Sequence, residues 1–316
     1  MERRVKETVD VVIPCRGRAD LLVRALRSVL LQTRAPDRVI VVDDGSYEPL
    51  ASQLPVDVVS VCVFLRHSIG QGAGPARNTG IAESEADWIA FLDADDWWST
   101  EHLAVALGVA GRWKGSAVVG AYRAVFSNGT TLTYCSRCQP GPIGDFGEYM
   151  FRQGGLCRTS TFVVRRKEAH AVGFDPDVRH EDWDFGLRIA REARVVYNDN
   201  PGVDVDHEAG GRFSHSRDAG ASLAFLAKHH DFLSKDQRNG FRLRVARSGA
   251  VRAQKAVSLA LIGDLEKPLS WSERLHALVS RLLCVHPLVT VVARYTYLLW
   301  MGKTLNTGSA RRTRLN

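Results

Sequence analysis

Phe91-Leu92-Asp93-Ala94-Asp95-Asp96-Trp97-Trp98 sets three carboxylates at the end of an apolar run that begins at Trp88. Trp88 to Leu92 reads as a short buried strand, and a parallel strand presents its ligands at its C-terminal end. Two aspartates one residue apart can hold a hard divalent cation and still leave positions open for phosphate oxygens. An enzyme whose leaving group is a nucleoside diphosphate needs that arrangement. A solvated acidic turn satisfies an isolated Asp-x-Asp equally well, so the rest of the chain has to decide.

Upstream, strand and helix alternate. Val9 to Ile13 is an apolar strand that Pro14 is expected to stop. Asp20 to Gln32 carries Leu22, Leu26, Val29 and Leu30 at helical spacing, with Arg24 and Arg27 opposite. Arg38 to Val42 is a second strand, ended by Asp43-Asp44-Gly45-Ser46. A third, near Val61 to Leu65, leads through a Gly-rich loop into a helix over Pro75 to Glu83. Uniformly apolar strands alternating with helices predict a parallel sheet covered on both faces. Its ligand crevice then lies at the strand ends, where Pro14-Cys15-Arg16, Asp43-Asp44 and Asp93 to Asp96 all fall.

Gly70-Gln71-Gly72-Ala73-Gly74-Pro75 imitates a dinucleotide loop, but it follows the third strand, and Pro75 or Arg77 stands at the third glycine position. Arg77, early in a helix, suits a pyrophosphate contact better: a cation beside free backbone N–H groups.

Composition narrows the function classes. With 316 residues, 45% of them hydrophobic, the chain can bury one large core or one core with an appendage. Lys and Arg number 42 against 35 Asp and Glu, a net +7 that favours phosphates or acidic lipids without identifying nucleic acid. The charged start, Met1 to Glu7, shows no signal-peptide apolar region, and the six scattered cysteines make no disulfide framework. The chain therefore reads as cytoplasmic with reduced thiols. Cys135 and Cys138, with Cys157 nearby, lack a clear fourth zinc ligand and read as free thiols.

Val12-Ile13-Pro14-Cys15-Arg16-Gly17-Arg18, Val41 to Ser46, Ala76-Arg77-Asn78 and Asp93 to Asp96 occur in an order that resembles the family 2 glycosyltransferases, nucleotide-sugar enzymes of the GT-A fold. The resemblance covers roughly residues 8 to 230. It departs at Pro14-Cys15-Arg16-Gly17-Arg18, where the family usually reads Pro-x-Tyr-Asn-Arg. It implies a Rossmann-like, mostly parallel sheet with helices on both faces, followed by a C-terminal helical extension. The expected division is a transferase domain over 8–235, with a nucleotide-binding half at about 8–100 and an acceptor half at about 101–235, then the extension at 236–316.

By the same resemblance Pro14, Arg16, Asp44, Arg77 and Asp93 bind the donor, while Asp93 and Asp95 bind Mn2+ or Mg2+. Glu181-Asp182 opens a patterned helix; two acids there can simply complement the helix dipole, but the family's matching aspartate is the catalytic base, which points to Asp182. His207 sits where many relatives complete the metal site, although a lone histidine is more often a core or surface residue; His180 and His215 are weaker competitors.

The implied activity is metal-dependent, inverting transfer of one sugar from a UDP-sugar to an acceptor hydroxyl in glycan or polysaccharide biosynthesis. The Gln-x-x-Arg-Trp signature of processive synthases is missing. A non-catalytic carbohydrate-binding relative and a nucleotidyltransferase are the alternatives. Leu275 to Met301, apolar but broken by Arg281, His286, Pro287 and Arg294, is expected to form helices that cover the main domain or make a homodimer. Peripheral contact with the inner face of a membrane is its rival reading.

Overall fold

The computed structural model describes residues 7–206, 219–251 and 255–285. Its first half follows the alternation of the sequence: β1 (Val9–Cys15), α1 (Ala19–Leu30), β2 (Arg38–Asp43), the short α2 (Val56–Val59), β3 (Val63–Arg66), α3 (Ala73–Glu83) and β4 (Trp88–Phe91). After the aspartates come β5 (Asp96–Trp98), α4 (His102–Trp113), β6 (Ala117–Gly120), β7 (Tyr122–Val125), β8 (Thr131–Tyr134), β9 (Gly141–Pro142) and α5 (Phe146–Phe151). Next are β10 (Val163–Arg165), α6 (Arg166–Val172), α7 (Glu181–Glu192), β11 (Val195–Asn198) and β12 (Val203–Asp206). Four helices close the described chain: α8 (Ala219–Lys228), α9 (Lys235–Val251), α10 (Lys255–Gly263) and α11 (Trp271–Val285).

The large sheet has the order β3-β2-β1-β4-β10-β6-β11-β9. β1 to β4 are mutually parallel, as the apolar strands predict, but β10 enters antiparallel between β4 and β6, and β9 lies antiparallel at the edge. Successive residues of each strand face opposite layers. Val12, Ile40, Val42, Ile89 and Phe91 share one core with α7, while Val11, Ile13, Val39, Val41 and Ala90 share the other with α1 and α4. A second sheet, β5-β12-β7-β8, stands beside the first.

Pro14 does not end β1. The strand continues through it to Cys15, with Pro14 opposite Val42 and Cys15 opposite Asp43. Pairing with β4 has already stopped at Val12, so the missing N–H of Pro14 interrupts no ladder there. Gly80 fixes the approach of α3 to the sheet: a Cβ on it would stand 2.3 Å from Val12 Cγ1. A methyl group cannot enter that space without separating helix and strand.

The C-terminal helices divide their packing. On α9, Phe241 joins an aromatic group with Phe151, Trp183 and Phe225, and Arg244 donates to the carbonyls of Met150 and Gly155. Leu243 and Ala246 of the same helix belong instead to a small separate core with Leu261, Ile262, Leu265 and Ala277. α11 begins with a reciprocal cap: Ser270 N–H donates to Glu273, and Glu273 N–H donates to the Ser270 hydroxyl. Among the described residues no helix is long and apolar enough to cross a membrane.

Candidate active site

The acidic motif lies where the chain passes from one sheet to the other. Leu92 N–H still bonds to Val12 carbonyl, extending the ladder one residue beyond β4; a turn closed by Asp96 N–H to Asp93 carbonyl then leads into β5. Asp93, Asp95 and Asp96 each bring a carboxylate oxygen within 4.8 Å of the others. The hydroxyl of the fully buried Ser160 holds this turn, donating to Asp96 at 2.6 Å and accepting from Asp93 N–H at 3.1 Å. Arg24 braces the other side, stacked over Trp97 and donating to Asp95 carbonyl and to the Asp206 carboxylate. Burial, and then the charges of Asp93 and Asp95, push the Asp96 carboxyl up to about 8. Clustered hard oxygen donors carrying surplus negative charge fit Mg2+ or Mn2+.

Arg77 connects this motif to the second half of the chain. Its guanidinium is buried, donates to Asp93 at 2.6 Å and to Glu181 at 2.9 Å, and lies over the Phe174 ring. Burial alone would lower its pKa; the Asp93 and Glu181 charges outweigh that and raise it. Asn78, the next residue, clamps the same region: its amide donates to Phe174 carbonyl and its carbonyl accepts Phe174 N–H, both at 2.7 Å.

Glu181 and Asp182 open α7, one turn ahead of Phe185, which is fully buried between Phe174 and Phe162. His180, just before them, has φ 63, a left-handed conformation uncommon for a side chain with Cβ. Stacking on Trp183 and a hydrogen bond between Nε2 and the Ser222 hydroxyl hold it there. His180 therefore serves to enter the helix; burial lowers its pKa to about 4. Burial raises the Asp182 carboxyl above the usual range, opposed by the cations Arg158 and Arg77. Arg158 in turn packs over Tyr122. Behind the pair, Asp184 is fully buried among Arg188, Lys228 and His229, tying α7 to α8.

Of the other sequence-derived positions, Pro14, Arg16 and Asp44 lie at or just past the C-terminal ends of β1 and β2. Pro14 is buried in β1, and Arg16 is exposed at its end, where its guanidinium packs so closely on Gly70 that a Cβ there would lie 2.4 Å from Nη1. Asp44 is buried, and both its oxygens are engaged: Oδ1 accepts Gln71 N–H and lies 2.8 Å from His67 Nδ1, while Oδ2 accepts Gly72 N–H. It thus shapes the Gly-rich loop. Gly45 permits that approach, with φ 69 and no Cβ where Gly70 N would stand 2.4 Å away. His207 and His215 lie outside the described residues. The strand leading to His207 does reach the motif, since Val205 of β12 pairs with Asp96. Ser160, Arg158, Asn78 and Arg24 were not singled out from sequence as site residues: Arg24 read only as the polar face of a helix and Asn78 only as the end of the Ala76-Arg77-Asn78 motif, and their contacts with the acidic turn (Ser160, Arg24), with Tyr122 (Arg158) and with Phe174 (Asn78) come from tertiary structure.

A family model described as glycosyl transferase family 2 matches residues 10–174, more than half of the chain. The chain belongs to that family. The amylovoran biosynthesis glycosyltransferase AmsB of Erwinia amylovora is 30% identical over 192 residues, 57% of this chain and 62% of AmsB. The succinoglycan biosynthesis protein ExoW of Rhizobium meliloti is 39% identical over 101 residues, 30% of this chain and 31% of ExoW. This family 2 chain thus spans less than two-thirds of the length of the curated relatives it matches. Among solved structures, S. aureus TarS 1-349 in complex with UDP-GlcNAc gives a TM-score of 0.57 at 16% identity, covering 93% of this chain and 92% of that one. The mannosyltransferase PcManGT from Pyrobaculum calidifontis, in complex with GDP-Man and Mn2+, gives 0.56 at 15% identity, covering 95% and 87%. The fold of this family 2 member is of the GT-A type, mixed α/β with a mostly parallel central sheet.

Proposed function

We propose that this family 2 chain transfers one sugar from a nucleotide-sugar, with UDP as the favoured leaving group, to an acceptor hydroxyl in polysaccharide or glycoconjugate assembly, with inversion. The observation that carries the reading is Arg77, buried between Asp93 of the acidic motif and Glu181 beside the prospective base. One guanidinium thereby ties the acidic motif, where this reading puts the diphosphate of a donor, to the start of the helix that carries Asp182, which supports the two acting together. Biosynthetic relatives such as AmsB and ExoW support the polysaccharide setting. The likeness to TarS with UDP-GlcNAc and to PcManGT with GDP-Man supports a nucleotide-sugar donor.

In this scheme Asp93 and Asp95 hold Mn2+ or Mg2+, which when bound supplies Lewis-acid stabilisation to the departing diphosphate. His207, next in the chain after Asp206, is proposed as a further ligand. Pro14 and Arg16 line the nucleoside end, and Asp44 keeps the Gly-rich loop open to it. Arg77 is positioned to take up charge on the diphosphate oxygens. Asp182 accepts the acceptor hydroxyl proton as that oxygen attacks C1; partial burial keeps it basic enough for the task. The same reading divides the chain into a transferase domain over 8–235 and a helical extension over 236–316.

The test is release of free nucleoside diphosphate from a panel of UDP-sugars with Mn2+. Slow donor hydrolysis that stops with chelator, and in Asp95→Ala, supports the proposal. Pyrophosphate release would instead mark a nucleotidyltransferase, and no turnover with intact donor binding a carbohydrate-binding relative.

A further inference from the structure

The chain leaving the acidic motif is held along its length by one polar stripe of α1. Arg24, Ser28 and Gln32 recur at every fourth position, the spacing that lines side chains along one face of a helix, with Gln32 just past its last turn. Arg24 donates to Asp95 carbonyl at 2.8 Å, and the Ser28 hydroxyl accepts Trp98 N–H at 3.0 Å. Gln32 donates to Ser99 carbonyl at 2.6 Å and accepts Leu103 N–H at 3.0 Å. All four bonds go to main chain, so the stripe fixes the path of the backbone from the aspartates into α4.

Arg24 stands at the end of the stripe that meets the carboxylates. From the same nitrogen, Nη2, it also reaches the Asp206 carboxylate of β12 at 2.9 Å, while the centre of its guanidinium lies 4.1 Å from that of the Trp97 ring. β12 in turn pairs with β5 through Val205 and Asp96. One side chain thus joins α1, β5 and β12 at the acidic turn. The carboxylates of that turn crowd within 4.8 Å of one another, and like charges so close push it open unless its backbone is fixed.

We propose that Arg24 is a positioning residue for the divalent-cation site: it sets the backbone at Asp95 so that the carboxylates converge on the ion. The inference rests on the reading of Asp93 and Asp95 as metal ligands. Charge and positioning make opposite demands here. Removing a cation from the surroundings of a metal site should, by Coulomb's law, tighten the hold on the metal. Removing a clip that orients the ligands should weaken it, by about 10–100-fold for a partner outside the ligands themselves.

The experiment is titration of the full chain with Mn2+ alone, the free ion being counted by electron paramagnetic resonance. Wild type should bind an ion that Asp95→Ala no longer holds. Arg24→Gln should raise the Kd for Mn2+ by about 10–100-fold. Arg24→Lys keeps the charge but loses the planar stack on Trp97, and should recover only part of that loss. Trp97→Leu removes the platform under the guanidinium without touching a charge, so it should weaken Mn2+ binding in the same direction; it decides the matter if Arg24→Gln does not fold. Binding by Arg24→Gln that matches or exceeds wild type, with Asp95→Ala still inactive in binding, overturns this inference and leaves the ligand assignment standing. A lowered melting temperature with an unchanged Kd also overturns it, making Arg24 a support of the fold alone. Wild type that binds no Mn2+, or Asp95→Ala that binds it equally well, overturns the inference together with the metal site on which it rests.

Discussion

Asp182 and Asp184, two residues apart on α7, have opposite electrostatic settings. Asp184 is held by His229, Lys228 and Arg188, which together outweigh its burial and drive its pKa far down. A carboxylate so completely satisfied anchors structure and has little basicity to offer. Asp182 is raised instead, mainly by burial. It can accept a proton only when ionised, so the rate of transfer should climb with pH through a value above the ordinary carboxylate range. Asp182→Asn should leave donor affinity near wild type and lower the rate by about 10²–10⁴-fold, the usual worth of a positioned base. Loss of donor binding with little loss of rate would make Asp182 a structural residue. The sequence pointed to Asp182 through its resemblance; Arg158 and Ser160 escaped because their importance comes from what folding brings beside them.

Elements were legible where hydrophobic pattern and length agreed. The helix expected over Asp20 to Gln32 occupies Ala19–Leu30, and the one expected from Pro75 to Glu83 starts earlier, at Ala73. The second sheet was not anticipated. Its strands run three or four residues, too short for alternation to register, and β5 begins on the acidic motif itself. The segment linking α6 to α7 depends on Asn78. Asn78→Ala removes two hydrogen bonds and leaves the Phe174 amide groups to find other partners, so it should lower stability by roughly 2–3 kcal/mol in denaturant unfolding. Glu266, between α10 and α11, offers a pH-dependent check. The hydrogen bond from Arg238, assisted by Arg242, depresses its carboxyl to about 2 despite an opposing burial effect. A depressed acid contributes stability above its unfolded pKa and loses it as pH falls through the folded value. Glu266→Gln should therefore lower the melting temperature at pH 7, and the gap from wild type should close between about pH 4.5 and pH 2.

At the scale of the molecule, the proposed donor site draws on both halves of the chain. The first half supplies Asp44, Arg77 and the acidic turn; the second supplies Ser160, Phe174, Glu181 and Asp182. A donor binding there with its cation should stabilise the folded chain by mass action, about 2.7 kcal/mol at a hundred times Kd. A thermal-shift screen should accordingly show a rise with nucleotide-sugar plus Mn2+ that exceeds the separate effects of each, and Asp95→Ala should remove the excess. Additive effects would mean that nucleotide and metal do not share a site. The alternating strands made the parallel β1 to β4 part of the sheet legible from sequence, whereas the antiparallel entry of β10 left no trace in Val163-Val164-Arg165.

The Arg77 bridge also bears on how such proteins can be recombined. The family match ends at residue 174, while Arg77 reaches to Glu181, seven positions farther on. A chimera spliced at that boundary would inherit the arginine from one parent and its carboxylate from the other. If the second parent lacks an acid there, the hybrid keeps a buried cation with half its compensation. Workable crossover points for this scaffold therefore lie beyond α7, so that both ends of the bridge descend from one ancestor.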